Sequence, residues 1–412
     1  MRNDVAIVGA GPSGAWAAYS LARRGARVVL IDPSHPREKP CGGGLTGRAL
    51  AIVAGAIDVG RLPACVIRSA RFTRAGAGES AVVSLENHGE ADTPFPGGRR
   101  GLTPGTLSSR RSPSLLVASR TDFDGLLLAA ARNAGAEVVA ARVTDVAAAR
   151  RGFRVETTRN SLHAASLMGA DGANGLVRRR LARPFGRAEL SIATGYFAHG
   201  VTSDEIVVEL VADPPGYIWS FPRPTHLAIG ICAQADAGAT ATALRARTAA
   251  WIRSTCIANL TRLEPYSWPI PSLTTRGFEA LTVAGPGWFL VGDAAGLVDP
   301  ITREGIYFAL LSGQWAADAL LSGAADPSRR YAERVRDEIA AELARAARFK
   351  RSFFHPQFTR AMMDALHHSA GVRAVLADLV AGRHSYAGLK WRLAKTLEAG
   401  LAWRLLRTYR EK

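Results

Sequence analysis

The run Gly9-Ala10-Gly11-Pro12-Ser13-Gly14 has the residue types and spacing to hold a diphosphate against bare backbone. Gly9 permits a tight turn, Gly11 lets the chain approach the phosphates, and Gly14 lets the following helix pack closely on the preceding strand. The helix start adds free N–H groups and a positive dipole end, both suited to phosphate charge. Asp32 stands 18 residues beyond Gly14, where a carboxylate can accept hydrogen bonds from both hydroxyls of a ribose, and Pro33 follows it. A second chemical unit lies far downstream. There Gly292 and Asp293 follow an apolar run at 289–291, and the chain turns through Pro300 and Gly305 into small residues from Ile306. That carboxylate can meet a ribityl hydroxyl, and the new helix start can face an anionic flavin ring. A nicotinamide enzyme has no use for this second unit, so the pair specifies FAD. Arg120 ahead of Asp122-Phe123-Asp124, and Asp171-Gly172 after Leu167-Met168, point the same way through their order and spacing.

These residues need a particular frame. A buried strand is expected over 5–8, a helix over 15–24 and a second strand over 27–31, the context that the glycine run requires. Nucleotide-binding signals recur in three pieces, 1–60, 120–180 and 277–325, so the cofactor domain is expected to be discontinuous. Between them, 61–119 and 181–276 form the expected substrate domain. Ile206, Val208 and Leu210, and again Leu227, Ile229 and Ile231, alternate with other residues as in a half-buried antiparallel sheet. The Gly/Pro/Ser/Arg-rich stretch 97–113 reads as an exposed loop. Residues 326–412 read as a C-terminal helical region. The predicted class is α/β: a doubly wound Rossmann-type FAD domain with an antiparallel substrate sheet and C-terminal helices.

Bulk composition narrows the setting. The chain has 412 residues, 48% of them hydrophobic, enough for a two-domain globular core. The first strand begins too early to leave room for a signal peptide, and no apolar run approaches the ~18 residues of a spanning helix. A cytoplasmic enzyme is the resulting expectation. Cys41, Cys65, Cys232 and Cys256 are far apart, so neither a disulfide framework nor a metal site is indicated. The net charge is +17, and the 52 basic residues include only five lysines, a skew that codon bias explains as well as function does. From residue 328 onward, 18 Lys/Arg face 8 Asp/Glu, so +10 of the charge lies in the tail. Such a tail attracts anionic lipid or acidic partners, and no motif supports nucleic acid.

On these motifs the chain resembles the FAD-dependent oxidoreductases of the geranylgeranyl reductase type, within the wider group that holds aromatic hydroxylases and flavin halogenases. Three narrower segments carry the resemblance. Lys39-Pro40-Cys41-Gly42-Gly43-Gly44 is similar to the family's glycine-rich segment beside the isoalloxazine. Tyr217-Ile218-Trp219-Ser220-Phe221-Pro222 is similar to its YxWxFP segment lining a prenyl cavity. Gly382-Arg383-His384-Ser385-Tyr386, followed by Leu389-Lys390, is similar to its C-terminal helical region. The halogenase pattern WxWxIP is absent. Physical reading agrees: glycines at 42–44 keep side chains off the flavin, and Tyr217, Trp219 and Phe221 on one strand face form an apolar wall. Cys41 is either a thiol activated by Lys39 or a small packing residue. The family commonly has Gly where this chain has Arg303, whose guanidinium would bind an anionic substrate or donor group, or point to solvent. Asp32 stands where Glu is more usual.

The resemblance implies reduction of carbon–carbon double bonds in a prenyl or related lipophilic substrate by hydride from reduced flavin. NAD(P)H or ferredoxin would be the electron donor, with Tyr217 or Cys41 a candidate proton donor. An FAD monooxygenase and a flavin-bearing peripheral electron carrier are the rival readings. Leu389, Leu393, Leu397, Leu401 and Leu405 recur at i+4 among basic residues, with Trp391 and Trp403 beside them. That stripe suits either a helix on the inner face of a membrane or one docked on the protein itself.

Overall fold

A computed structural model describes residues 3–75, 78–86, 113–258, 262–383 and 385–396. The loop expected at 97–113 and the leucine stripe beyond residue 396 lie outside the described residues, apart from Pro113.

Two large sheets organise the chain. The first is a parallel core in which Asn3–Val8 lies between Val28–Ile31 and Ser161–Gly169, with Glu137–Val139 outside the former and Trp288–Leu290 outside the latter. Ala284–Gly285 closes that edge antiparallel, and Val143–Ala149 and Gly152–Thr157 extend Ser161–Gly169 as a meander. Val5 to Val8 and Val28 to Ile31 are buried throughout, because helices cover both faces of a parallel sheet. The helix Pro12–Ala22 packs on Ile306–Leu321, and Ser20 Oγ donates to Gln314 Oε1 at 3.0 Å across that contact.

The first helix differs from expectation at both ends. It begins at Pro12 with Gly11 as N-cap, since proline's fixed φ suits the first helical position. It stops at Ala22, and Gly25 then takes φ +85°. The helix Arg120–Asn133 is capped by Ser119, whose Oγ accepts from Thr121 N at 3.1 Å, and buries Phe123, Leu127, Leu128 and Ala131 on one face.

The second sheet has seven strands in the order Leu263–Pro271, Leu190–His199, His226–Gln234, Gly216–Pro222, Glu205–Val211, Ser69–Arg74 and Ser80–Ser84. All neighbours are antiparallel except Glu205–Val211 with Ser69–Arg74. The half-buried expectation fails at His226–Gln234, which is buried up to its last residue. The helix Ala241–Thr255 covers the outer face there, setting Leu244, Trp251 and Ile252 against Leu227, Ile229 and Ile231. Those three therefore point away from the inner face that carries Tyr217 and Trp219. A small sheet of Gly44–Thr46, Leu115–Ala118 and Ala64–Val66 joins the two halves.

Beyond residue 326 the chain is helical, through Pro327–Arg334, a π turn at Val335–Ala340, Ala341–Phe353, Pro356–His368, Ala370–Val380 and Leu389–Thr396. Leu389 is buried, Arg392 Nη2 reaches Asp378 Oδ2 at 2.6 Å, and Trp391 is 76% exposed. The last described helix thus docks on the protein while turning one indole outward. No helix among the described residues is long and apolar enough to cross a membrane.

Candidate FAD and substrate site

One cavity of about 700 Å³ runs between the two sheets. Its cofactor end is lined by Gly9, Gly11, Pro12, Ser13, Asp32 and Pro33, and by Arg120, Asp171 and Gly172. Lys39, Cys41, Gly42, Gly43 and Gly44 follow, then Asp293, Gly305 and Ile306. Tyr217, Trp219, Phe221 and Arg303 line the same space. Gly14, Gly292 and Pro300 are the sequence-derived residues off this lining. Gly14 packs helix on strand, Gly292 is buried with its N–H donating to Ser312 Oγ at 2.9 Å, and Pro300 lies buried in the turn before Arg303.

Two helix starts open on the cavity, at Gly11 and Gly305, and neither has a side-chain cap. Their first-turn N–H groups are left to an anionic ligand. Asp32 Oδ2 accepts from Ala10 N at 2.9 Å and pairs with His35 Nδ1 at 2.8 Å, while Oδ1 accepts from Ser34 N at 2.8 Å. Burial opposes the Asp32 charge, but His35 and these N–H donors overcome it and hold the carboxyl below the usual range. Burial raises Asp171 to about 6, and its Oδ1 is buried without a partner. Its carboxylate packs against Gly175 and accepts from Val177 N at 3.0 Å, so it holds the chain behind the cavity, and it is the two open helix starts that fit a phosphate-bearing group such as FAD.

Arg120 is buried and grips Asp124 through Nε at 2.9 Å and Nη2 at 2.7 Å. Burial disfavours its charge, yet Asp124 and the Cys41 sulfur raise it above the ordinary arginine range. Arg120 Nη1 lies 3.6 Å from Cys41 Sγ, whereas Lys39 Nζ pairs with Asp293 Oδ2 at 2.9 Å. The cation on the thiol is therefore Arg120, not Lys39 as expected.

The glycine segment also has a second reason, beside the one read in the sequence. A Cβ on Gly42 would stand 2.9 Å from the Phe221 ring, and one on Gly43, at φ +80°, would stand 2.2 Å from the Ala118 carbonyl. Glycine is needed there so that the aromatic strand and the small sheet can close on the segment.

The substrate end is apolar. Ile206, Val208 and Leu210 project from the strand beside Tyr217, Trp219 and Phe221, and Phe353, Leu376, Leu379 and Val380 complete the wall from the C-terminal helices. Tyr217 Oη donates to the Thr302 carbonyl at 3.3 Å, and burial raises its hydroxyl well above the usual range. Tyr386 reaches in from the tail and donates to Asp299 Oδ2 at 2.8 Å. Asp299 Oδ1 in turn accepts from Ile301 N at 2.7 Å and Thr302 N at 3.0 Å, which sets the turn leading to Arg303.

Sequence reasoning missed several participants. Arg223 is fully buried, donating through Nη1 to Glu38 Oε1 at 2.6 Å and through Nη2 to the Cys41 carbonyl at 2.8 Å. Burial works against the Glu38 charge, but Arg223, Ser119 and the Arg120 N–H keep that carboxyl below its ordinary value. Burial and Arg223 together lower His226 to about 4. Arg223 directly follows Pro222, and an arginine ending an apolar strand was the available signal. Phe353 and the residues of Ala370–Val380 carried none, since their apolar spacing reads as ordinary helix core.

The sequence model of the FAD binding domain family matches residues 2–328. The chain is 31% identical to a menaquinone reductase of Mycolicibacterium smegmatis, over 95% of this chain and 96% of that protein. It is 28% identical to a digeranylgeranylglycerophospholipid reductase of Methanothrix thermoacetophila, over 86% of this chain and 88% of that one. Among solved structures, a geranylgeranyl bacteriochlorophyll reductase-like protein of Thermoplasma acidophilum superposes with a TM-score of 0.73 at 21% identity, covering 96% of this chain and 100% of its own. With two open helix starts and a paired Arg120 on one cavity, the chain belongs to the FAD binding domain family and, within it, to the geranylgeranyl reductase-like FAD-dependent oxidoreductases.

Proposed function

We propose that the protein reduces carbon–carbon double bonds in the prenyl chain of a lipophilic substrate. The observation that carries this reading is the apolar wall of Tyr217, Trp219 and Phe221, which shares one cavity with the cofactor residues. Relatives named as reductases of menaquinone and of a digeranylgeranyl lipid support it. FAD, when bound, supplies hydride chemistry for one alkene carbon. The chain's own part is to orient and desolvate the alkene: Ile206, Val208, Leu210 and the three aromatics exclude water from the chain they hold. Two groups on this wall carry a transferable proton for the second carbon. Tyr217 Oη carries its proton at neutral pH as any phenol does, and burial binds that proton more firmly still, while Cys41 Sγ sits beside the Arg120 guanidinium. Electrons would come from NAD(P)H bound transiently or from ferredoxin, and the basic surface suits an acidic carrier.

Anaerobic incubation of the flavin-loaded protein with dithionite and either geranylgeranyl diphosphate or a menaquinone tests the reading. Product heavier by two hydrogens is the expected result. Turnover that requires oxygen would replace the reading with a monooxygenase.

The tail is proposed to touch the inner face of a membrane, with exposed Trp391 between Lys390 and Lys395 as its leading edge. Co-sedimentation with anionic liposomes should be strong for the full chain and weak for a version ending at Ala387. Equal and negligible sedimentation of both would remove the membrane contact.

A further inference from the structure

Behind Arg303, which lines the substrate cavity, two cations converge on a single neutral oxygen. Arg303 Nη1 donates to Ser272 Oγ at 2.6 Å, and Lys350 Nζ donates to the same atom at 2.7 Å. Lys350 Nζ also donates to Gln234 Oε1 at 2.6 Å, which accepts the Ser272 hydroxyl at 3.0 Å as well. The Gln234 amide is committed to the Ala188 carbonyl at 2.7 Å, so its oxygen is held toward the cations. Ser272 is fully buried. Neither Arg303 nor Lys350 forms an ion pair among the described residues, and Asp236 influences Lys350 only from beyond ion-pair distance. Burial and the neighbouring Arg303 lower Lys350 to about 7.

Like charges gathered in a buried place without a carboxylate are costly, and such clusters persist where an anion completes them. Arg303 lines the cavity, so the pair of cations stands at its wall rather than deep in a core. Arg303 is also held at φ +62°, a left-handed conformation that costs a non-glycine residue about 1–2 kcal/mol. Its N–H is fixed to the Asp299 carbonyl at 3.0 Å. Keeping a long cation at a position that favours glycine makes sense where the guanidinium has work to do.

We propose that Arg303 and Lys350, bridged by Ser272, form an oxyanion subsite that takes the anionic head group of the lipophilic substrate. This rests on the prenyl reading for the chain that the head group carries. A phosphate, diphosphate or carboxylate on an apolar chain satisfies the subsite, while a neutral quinone or alcohol leaves the two charges uncompensated. The bound oxyanion would accept from Arg303 at the cavity wall and from the Lys350 ammonium behind it.

The test uses the flavin-loaded enzyme at near-physiological salt. Inorganic diphosphate is titrated calorimetrically, and geranylgeranyl diphosphate is compared with geranylgeraniol through the perturbation of flavin absorbance. Wild type is expected to bind inorganic diphosphate and to prefer the diphosphate ester by about 100-fold, corresponding to two charge-assisted contacts. Arg303→Gly relieves the backbone and should fold at least as well as wild type. In it, and in Lys350→Gln, both signals should fall by at least about tenfold, the loss of one such contact. Diphosphate binding that is absent from wild type, or that survives unchanged in both variants as binding to the basic surface would, overturns the subsite. An enzyme that reduces ester and alcohol equally well keeps the prenyl reading and loses this one. An enzyme whose ion binding depends on Arg303 but which reduces neither compound does the reverse.

Discussion

Gly14→Ala is expected to yield protein that purifies without visible flavin absorbance and binds added FAD at least about fivefold more weakly, the least that overpacking by 1–3 kcal/mol would produce. The added methyl would sit 1.9 Å from the Gly9 carbonyl and 3.0 Å from the Ala170 Cβ. Gly9 and Ala170 are backbone neighbours of the cofactor cradle, so no flexible side chain can swing aside. The helix Pro12–Ala22 must instead lift away from the strands Asn3–Val8 and Ser161–Gly169. Lifting it moves the open N–H groups after Gly11 out of line with the phosphates they would hold. Gly55→Ala is the control, because a methyl there meets nothing within 4 Å, and it should keep wild-type flavin content. A Gly14→Ala protein with full flavin content and an unchanged melting temperature would contradict the assigned packing.

Arg120→Met is the second large effect. It leaves Asp124 buried without its charge partner, a loss that costs about 3–5 kcal/mol. His35 Nε2, 3.7 Å from Asp124 Oδ2, is already committed on its other nitrogen to Asp32, so it offers only partial relief. Urea unfolding of the flavin-loaded protein should show a correspondingly lower midpoint. The double variant Arg120→Met/Asp124→Leu removes both charges and should recover most of the loss. Equal destabilisation in the single and double variants would mean that Arg120 matters through Cys41 or the cofactor rather than through the buried pair.

How much could be read in advance depends on whether the physics was local. The cofactor strands and the helix after Gly11 were legible because turn, strand and helix signals there lie within thirty or so residues and agree with one another. The aromatic strand was legible because its period of two puts Tyr217, Trp219 and Phe221 on one face. Long-range pairings were not. Nothing local says that Lys39 meets Asp293 and Arg120 meets Cys41, or that Gly42 is small for the sake of Phe221. Leu227, Ile229 and Ile231 alternate just as Ile206, Val208 and Leu210 do, yet a covering helix turns the first set away from the cavity. Arg303 carried a local signal through its unusual residue type, but Lys350, its partner at the Ser272 oxygen, lies 47 residues on in a helix whose spacing reads as surface and core.

The chamber's last wall comes from far along the chain, well after the cofactor strands. Leu376, Leu379 and Val380 close it, and Tyr386 steadies the Asp299 turn at its mouth. A chain cut at about residue 355 would keep the cofactor strands and both open helix starts, yet leave the greasy side of the chamber open to water. Such a fragment would offer reduced flavin to dissolved oxygen where the whole chain offers it to a sheltered alkene.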